Sequence, residues 1–430
     1  IVGAGGGGFP AHIKLKASVD TVLANGSECE PLLNTDKTLM IRHADQVVTG
    51  VALAMKTTGA KQGIIAVKGH YTDVVNALTK ALDPKQNIHI HKLQNYYPAG
   101  DEFLTVYDAT KRIIPEGGLP LNVGVVVSNV LSLYQMTDAV NGKPVTERMV
   151  TITGEVEKPC VVKVPIGTPY TTLLALAGRI TTDNPVVIDG GPMMGNIVDD
   201  LSLGIAKTCS GVLVLPRDHF VVRAKTLSVG QMIKLSKAAC CQCFRCTDLC
   251  PRNLLGHAIF PHATMRTIDY NLSEPTQNIT SAFLCSQCGM CEMVACDVMR
   301  LSPKKIYAAY RRELVAKGVK NPHNSKPTTC NSAYEDRKVA IDVLLKKLDL
   351  LKYKKETPYL GYQNVFDVIV PLHRHVGAKS LPVVKQGQTV SLGDLIAPCP
   401  AGALGTNYHA SISGVVKSVS ETTIEIQAQR

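Results

Sequence analysis

Residues 240–251 read Cys240-Cys241-Gln242-Cys243-Phe244-Arg245-Cys246-Thr247-Asp248-Leu249-Cys250-Pro251. The cysteine spacing is C-x2-C-x2-C-x3-C-P, in which short gaps let successive thiolates point at one [4Fe–4S] cluster. A second run, spaced C-x2-C-x2-C-x4-C, follows at Cys285, Cys288, Cys291 and Cys296. Eight of the 14 cysteines thus lie in two short runs. The sequence therefore predicts a domain that holds two clusters and carries electrons one at a time.

The cluster ligands follow from the way two such runs fold together. In two-cluster domains the fourth cysteine of each run serves the other cluster. We therefore expect one cluster on Cys240, Cys243, Cys246 and Cys296, and the other on Cys285, Cys288, Cys291 and Cys250. The second run is less standard, because it has one extra residue before Cys296 and Asp297 in place of the usual proline. Cys241 adjoins a ligand and is expected to be a bystander.

Disulfide bonds and structural zinc are the other common uses of clustered cysteines. Disulfides need an oxidising compartment, and no signal peptide is visible. Zinc sites usually combine two C-x-x-C pairs a dozen or more residues apart. Here each run instead has three cysteines at spacing three, followed by a fourth. Clusters are therefore favoured.

The chain starts at Ile1 inside an apparent motif, so we expect further residues before it.

The composition is that of a globular protein, with 45% hydrophobic and 19% charged residues among 430. No apolar run reaches the roughly 18 residues that a membrane span needs. The net charge of +11 suits an acidic partner, a nucleotide or a membrane surface and selects none of them. Since there is no Trp and only 5% aromatic content, we expect no nucleic-acid partner.

A chain of this length exceeds one ordinary core. Alternating apolar runs and helical stretches near the start predict an α/β domain with buried parallel strands at 63–67 and 123–127. Ile341, Leu344, Leu345 and Leu348 form a helical stripe in a basic segment. The overall prediction is a multidomain α/β and α+β fold. Its parts are an α/β domain at 1–147, a β-grasp module at 148–217, a two-cluster helical domain at 218–302, a basic helical linker at 303–360 and a β barrel or hammerhead at 361–430.

The chain opens with a glycine-rich loop, Ile1-Val2-Gly3-Ala4-Gly5-Gly6-Gly7-Gly8-Phe9-Pro10. Gly3, Gly5 and Gly8 formally match G-x-G-x-x-G, but a dinucleotide fold needs a strand before the motif and a helix directly after it. Glycines nevertheless let backbone N–H groups approach a phosphate or a flat ring, and Lys14 is placed to neutralise a phosphate. The alternative is a flexible surface loop.

The segment Asn25-Gly26-Ser27-Glu28-Cys29-Glu30-Pro31 follows a β run. Its amide and two carboxylates suit ribose hydroxyls or the polar edge of a ring, and acids near a glycine-rich loop suit a nucleotide. An ordinary capping turn is the alternative.

Several motifs in order resemble a known family over nearly the whole chain. GAGGGGFPAHIKL, NGSECEP and YPAGDE resemble the flavin- and NADH-binding subunit of respiratory complex I. GGPMMG (190–195) and AKTCSGVLVLP (206–216) resemble the RnfC protein of the Rnf electron-transport complex. In that protein a hammerhead domain precedes the flavin domain, whereas here the matching segment lies at 371–414. This order resembles the cobalamin reductases of propanediol-utilisation microcompartments.

The resemblance implies an NADH-dependent oxidoreductase with FMN, two [4Fe–4S] clusters and cobalamin as the electron acceptor, supplying coenzyme B12 for a diol dehydratase. It implies a soluble-ligand-binding β-grasp (SLBB) module and a place in a microcompartment of the bacterial cytoplasm, with a shell protein as a partner. Since no D-x-H-x-x-G corrinoid motif is present, we expect cobalamin to dock transiently, carried by an adenosyltransferase. The oligomeric state stays open.

The family's flavin and nucleotide positions fall on defined residues here. The flavin loop falls on Gly3, Gly5, Gly6 and Gly8, and Lys14 lies near the phosphate. Phe9 matches a position that stacks on nicotinamide. Ser27 stands where the complex I protein has an acid. The remaining matched positions are Asn25, Glu28, Glu30, Gly100, Asp101, Glu102 and Asn129.

Two rival functions remain at this stage. One is the NADH-binding RnfC component of an Rnf ferredoxin:NAD oxidoreductase, which the same motifs resemble. The other is a cluster-bearing scaffold without flavin, which the acidic segments beside the glycine loop disfavour.

Overall fold

The first domain of the computed structural model, which describes residues 1–272 and 274–429, is built on a parallel sheet. The strand order is β3-β2-β1-β5, and all three pairings are parallel. Strands β1, β2 and β5 are buried on both faces because helices cover both sides, whereas the edge strand β3 is partly exposed. The elements are α1 (Ala11–Lys14), β1 (Thr21–Gly26), α2 (Thr35–Arg42), α3 (Ala44–Thr58), β2 (Gln62–Lys68), α4 (Thr72–Ala81), β3 (Ile88–Leu93), β4 (Tyr96–Tyr97), α5 (Glu102–Thr110), β5 (Val125–Asn129) and α6 (Val130–Val140).

The strands predicted at 63–67 and 123–127 are present, the second beginning at Val125 because Pro120–Val123 forms a 3-10 turn. Helices α3 and α6 cross closely at Gly50, where a Cβ would overlap the backbone carbonyl of Leu133. That contact fixes α6, and with it the end of β5, against the sheet.

The sheet contains a topological switch point between β1 and β5. From β1 the chain moves outward through β2 and β3, and it then returns to pair β5 with the other side of β1. In parallel α/β sheets a crevice opens at the carboxyl ends of the strands at such a point, and ligands bind there. Asn25 and Asn129 are register partners at these two strand ends.

The second domain is a six-stranded mixed sheet in the order β12-β7-β6-β10-β8-β9 around one short helix. Alternate residues of β6 and β7 point into its core, among them Val150, Ile152, Val162 and Val164. Its own elements are β6 (Glu147–Gly154), β7 (Cys160–Pro165), α7 (Tyr170–Ala175), β8 (Pro185–Asp189), β9 (Asn196–Ile197) and β10 (Gly211–Pro216).

The cysteine-rich domain consists of short helices joined by tight turns. Residues 281–284 form a 3-10 turn, and residues 291–295 form one turn of π-helix. The helices are α8 (Phe220–Thr226), α9 (Val229–Ala239), α10 (Arg245–Asp248), α11 (Pro251–Leu254), α12 (Pro261–Asp269), α13 (Gln277–Thr280) and α14 (Pro303–Ala316).

The segment predicted as a basic helical linker is packed into three neighbours. Its first helix, α14, belongs to the cysteine-rich domain, where Thr264 donates a hydrogen bond to Tyr307 (2.8 Å). Residues 317–338 lack regular secondary structure. Then β11 (Val339–Ala340) pairs with β4, α15 (Ile341–Lys347) follows, and β12 (Tyr359–Tyr362) joins the second domain's sheet. The predicted stripe on α15 is buried, as an amphipathic helix requires.

The C-terminal domain is a small β barrel with its own apolar core. Ile166 from the second domain enters that core, and the backbone N–H of Ile369 donates to the carbonyl of Gly167 (2.7 Å). Its strands are β13 (Asp367–Pro371), β14 (Thr389–Val390), β15 (Leu395–Ala397), β16 (Tyr408–His409), β17 (Gly414–Val419) and β18 (Thr423–Gln427). The fold is thus the multidomain α/β and α+β class that the sequence predicts, while the exact domain boundaries stay predictions.

None of the helices in the described residues combines the length and the apolar character needed to cross a bilayer.

Candidate flavin and iron–sulfur sites

The glycine loop, residues 3–8, is a closed turn with an open outer face. The N–H of Gly3 donates to the carbonyl of Phe9 (2.8 Å), and the N–H of Gly8 donates back to Gly3 (3.2 Å). Gly5, Gly6 and Gly7 are exposed, and a Cβ at Gly6 or Gly7 would meet nothing within 4 Å. Gly6 has φ +90°, which side chains rarely adopt. The loop therefore presents backbone and empty space to a neighbouring ligand.

The loop lies at the switch-point crevice. A Cβ at Gly5 would lie 3.5 Å from the Cβ of Asn129. Asn129 accepts from the N–H of Leu131 (2.9 Å) at the start of α6 and donates to Asp36 (2.7 Å). Asn25 donates to the carbonyl of Gly100 (2.8 Å). The fold thus brings together residues from four distant parts of the first domain that the sequence proposed for flavin.

The two glutamates of the NGSECEP segment bind backbone N–H groups. Glu28 accepts from Asp36 (2.8 Å) and Lys37 (2.9 Å) in the first turn of α2. Loss of hydration, and then the nearby Asp36 carboxylate, raises the pKa of Glu28 to about 8. Glu30 accepts from Met193 (3.0 Å) and Met194 (2.7 Å), so the GGPMMG turn of the second domain rests on it. Desolvation raises the pKa of Glu30 as well.

The basic and acidic residues around the crevice are paired inside the protein. Lys14 donates to Glu102 (2.6 Å) and to the carbonyl of Val127 (3.1 Å). Its predicted phosphate contact would compete with this pair. Phe9 is half-buried, and its backbone closes the glycine loop.

Asp101 connects the flavin-type domain with the cysteine-rich domain. Its carboxylate accepts from the N–H of Phe103 (3.0 Å) at the start of α5. It also accepts two hydrogen bonds from Arg252, at 2.7 and 3.1 Å. The guanidinium carbon of Arg252 lies 3.5 Å from the Phe103 ring centre. The pair is almost entirely buried and lies two residues from Cys250.

The first thiol set lines one cavity near the surface. Phe244, at φ +64° and 51% exposed, and Met299 form part of its outer wall. Gln242 donates to the sulfur of Cys240 (3.1 Å), and the Leu301 N–H donates to Cys296 (3.4 Å). Burial, and then the proximity of the other three thiols, raises the pKa of Cys246 to about 12. The set consists of Cys240, Cys243, Cys246 and Cys296.

The second thiol set lines a deeper cavity. Arg252, Lys304 and Tyr307 share its wall. Gln287 donates to the sulfur of Cys285 through its backbone (3.4 Å) and its side chain (3.3 Å). Burial raises the pKa of Cys291, and so do neighbouring thiols, including Cys246 of the first set, so the two cavities adjoin. The set consists of Cys250, Cys285, Cys288 and Cys291.

The donor chemistry of both cavities fits iron–sulfur clusters. Each wall carries its four-thiol set and no carboxylate, which suits a soft, thiophilic group, and Cys241 also adjoins the first cavity. Within the described residues, no three His, Cys, Asp or Glu side chains converge on a single-ion position. The thiols surround cavities instead, as a group larger than one ion requires. Their raised pKa values mean that iron binding must displace protons.

Three residues at these sites gave no usable signal in the sequence. Tyr97 donates to the backbone carbonyl of Cys288 (2.6 Å) and so ties the flavin-type domain to the second thiol set. Arg148 reaches the glycine loop from β6, and Arg252 pairs with Asp101. Tyr97 is the first residue of the YPAGDE motif, but its partner is 191 residues away. No local period encodes such a contact.

Four family models match this chain. They are the Nuo51 FMN-binding domain (residues 1–138), the SLBB domain (149–196), the 4Fe-4S dicluster domain (239–299) and the RnfC barrel sandwich hybrid domain (352–430). The chain therefore contains an FMN-binding domain and a dicluster [4Fe–4S] domain.

Similar proteins cover the chain to different extents. The RnfC-type component of the Na(+)-translocating ferredoxin:NAD(+) oxidoreductase complex of Acetobacterium woodii is 34% identical over 59% of this chain and 56% of its own length. The crystal structure of NAD+-reducing [NiFe]-hydrogenase in the H2-reduced state aligns with a TM-score of 0.49 at 17% identity, covering 76% of this chain and 62% of that one. Cobalamin reductase PduS of Citrobacter freundii is 41% identical over 99% of this chain and 94% of its own length. By this full-length similarity, the chain belongs to the family of PduS-type cobalamin reductases.

Proposed function

We propose that this chain takes electrons from NADH and passes them through FMN and two [4Fe–4S] clusters to cobalamin, reducing cob(III)alamin and cob(II)alamin for a diol dehydratase. The observation that carries the proposal is the direct contact between the flavin-type domain and the second thiol set. Tyr97 and Asp101 of the first domain both bind the backbone or side chains of that set's loops. FMN accepts two electrons from a nicotinamide and releases them singly, whereas each cluster carries one.

The residues of the first domain have binding and orienting roles in this proposal. The glycine loop and the Asn25–Asn129 strand ends hold the flavin at the switch-point crevice. Glu28, Glu30 and Phe9 shape the neighbouring nicotinamide position. Lys14 leaves Glu102 to meet the FMN phosphate. Because Glu30 also supports the Met193–Met194 turn, the second domain closes one side of this site.

The two thiol sets have different surroundings. The second set is buried against the flavin-type domain, while Cys243 and Phe244 of the first cavity are exposed. Electrons that enter at the flavin would therefore leave at the first set. We propose that a corrinoid acceptor meets the chain beside Phe244.

An anaerobic assay with reconstituted protein, NADH and cob(III)alamin tests the proposal. Wild-type protein is expected to reduce the corrinoid. Cys246→Ser and Cys288→Ser are expected to lose this reduction while keeping NADH oxidation by ferricyanide, which takes electrons at the flavin. Cys241→Ser is the matched control, since its thiol lies beside the first set, and it should behave as wild type. Absence of corrinoid reduction in protein with confirmed FMN and iron would refute the proposal.

The alignments favour this function over an Rnf-type component. The Acetobacterium woodii protein aligns with 59% of the chain, whereas the Citrobacter freundii reductase aligns with 99%. Turnover with ferredoxin but not with cobalamin would reverse that preference. A flavin-free scaffold would show no flavin and no NADH oxidation.

We also propose that the chain works in the bacterial cytoplasm, inside a microcompartment, with a shell protein and a corrinoid-loaded adenosyltransferase as partners. Family membership supports this setting. Co-purification with shell proteins, and faster reduction of cobalamin on the adenosyltransferase than of free cobalamin, are the expected results.

A further inference from the structure

A buried arginine of the second domain contacts the glycine loop. Arg148, on β6, is 1% exposed. Its Nη2 donates to the carbonyl of Ala4 (2.8 Å), and its Nε donates to the carbonyl of Cys209. Its Nη1 is buried and has no hydrogen-bond partner among the described residues. A guanidinium has five N–H donors, so part of its binding capacity is unused.

The charge of Arg148 also lacks a direct counter-ion. In the described part of the chain, no carboxylate lies within 4 Å of its nitrogens. Asp36, Asp189 and Glu28 act on it only from farther away. A buried charge without a partner is costly, and such a residue is expected where a ligand supplies the missing anion.

The position of Arg148 points to the flavin crevice. Ala4 is held from both sides, because its N–H donates to Ser132 of α6 (2.9 Å) while its carbonyl accepts from Arg148. The next residue, Gly5, is exposed beside Asn129. The guanidinium therefore lies directly behind the loop whose open face adjoins the crevice.

A second buried basic side chain flanks the other end of the loop. Thr208 lies 3.3 Å from the Cβ position of Gly8. Its neighbour Lys207 is 4% exposed, donates to the carbonyl of Asn407 (2.6 Å) and lies 4.4 Å from the Tyr408 ring centre. The second domain thus brings a basic side chain to both ends of the loop.

We propose that Arg148 is a positioning residue of the flavin site, through which the second domain fixes the glycine loop and supplies positive charge to bound FMN. The ligand chemistry is anionic: the phosphate of FMN in either redox state, and the additional negative charge of the ring after reduction. The SLBB domain then completes the flavin site and needs no soluble ligand of its own for this role. The inference rests on the proposed placement of FMN at the switch point.

Anchoring and charge have different consequences for flavin binding. A residue that only anchors the loop changes the affinity for oxidised and reduced flavin equally, so the midpoint potential stays constant. A charge that acts on the flavin favours the reduced form, and its removal lowers the potential. For a two-electron couple, a tenfold difference between the two affinities is about 30 mV.

The experiment compares Arg148→Met, Arg148→Lys and Ser132→Ala in the full chain. Ser132→Ala is the matched control, because it removes the uncharged contact to the same residue, Ala4. FMN affinity is measured by flavin-fluorescence quenching on FMN-depleted protein, and the potential by spectroelectrochemistry. Arg148→Met is expected to weaken FMN binding by about 10- to 100-fold, as loss of a charged hydrogen bond does, and to lower the potential by about 30 mV.

The other variants separate the possible failures. Arg148→Lys should keep the wild-type potential with weaker binding, and Ser132→Ala should weaken binding at an unchanged potential. An unchanged affinity or an unchanged potential in Arg148→Met overturns the inference. If Arg148→Met does not fold, Arg148→Gln is compared with Arg148→Lys. Both variants lose the forked guanidinium, and only Arg148→Lys keeps a positive charge. A Cβ at Gly5 would make only ordinary contacts, so Gly5→Leu should fold and its side chain should block FMN binding. If Gly5→Leu still binds FMN, the proposed placement of FMN is wrong, and not only the role of Arg148.

Discussion

Replacing Asp101 by Asn tests how the cysteine-rich domain is held on the flavin-type domain. The substitution keeps the side-chain shape and an acceptor for the first turn of α5, since Asn and Asp cap helices equally well. It removes the negative charge opposite Arg252, whose side chain is 9% exposed. Breaking a buried pair from one side costs about 3–5 kcal/mol, because the remaining charge is uncompensated.

The reverse substitution, Arg252→Met, is expected to cost less. The Asp101 carboxylate then still accepts hydrogen bonds from the N–H groups of Phe103 (3.0 Å) and Leu104 (3.4 Å). Two backbone donors at a helix N-terminus stabilise a carboxylate, so we expect a loss of about 1–3 kcal/mol. The double variant should resemble Arg252→Met alone, so it should fall short of the summed losses by the loss of Asp101→Asn, about 3–5 kcal/mol.

Native-state hydrogen exchange on cluster-loaded protein is the suitable assay, because global unfolding of a multidomain chain is rarely two-state. The opening free energies of α5 and α11 report the two sides of the contact. Asp20→Asn is the matched control, because Arg112 also contacts both carboxylate oxygens of Asp20, through its Nη1 alone and at an exposed position, where a pair contributes about 0–1 kcal/mol. Losses for Asp101→Asn and Arg252→Met that add within about 0.5 kcal/mol would show that the buried pair does not couple the domains.

Three further outcomes are expected. Tyr97→Phe removes one buried hydrogen bond to the Cys288 carbonyl and should slow cluster reduction by NADH, followed by stopped-flow absorbance, while NADH–ferricyanide turnover stays constant. Burial lowers the pKa of Lys207 from 10.5 to about 7. The unfolded chain therefore binds this proton at a higher pH than the folded protein does, and the free energy of unfolding decreases as the pH falls from 10.5 to 7. The melting temperature of Lys207→Met, compared with that of wild type, should therefore rise as the pH is lowered from 10 to 7, and a constant difference would contradict the burial argument. Cys246→Ser should lose about half of the bound iron in a colorimetric assay, whereas Cys241→Ser should lose none; equal losses would remove the distinction between ligand and bystander.

Features with a short period could be predicted from the sequence. The apolar strands of the first domain and the buried stripe of α15 appear where their patterns placed them, because burial acts residue by residue along one element. The cysteine spacing also predicted which thiols share a wall, and the structure groups them in the same two sets. That these thiols bind iron, and that the loop residues bind FMN, stay predictions.

Other features depend on contacts between distant parts of the chain. The segment expected to be a linker supplies β12 to the second domain's sheet. Glu30 supports a turn 163 residues away, and Arg148 reaches a loop 144 residues before it. A lone arginine or glutamate has no periodic pattern, and its partner is chosen by how whole domains dock.

The amino-acid sequence by itself thus determined which cofactor-type domains the chain contains and how their thiols are spaced, because both features rest on local geometry. Only the tertiary structure decided that the flavin-type domain faces the second thiol set, and that the second domain reaches behind the glycine loop. Those choices depend on burying charged and apolar surfaces between domains, and no short stretch of sequence contains both sides of such a surface.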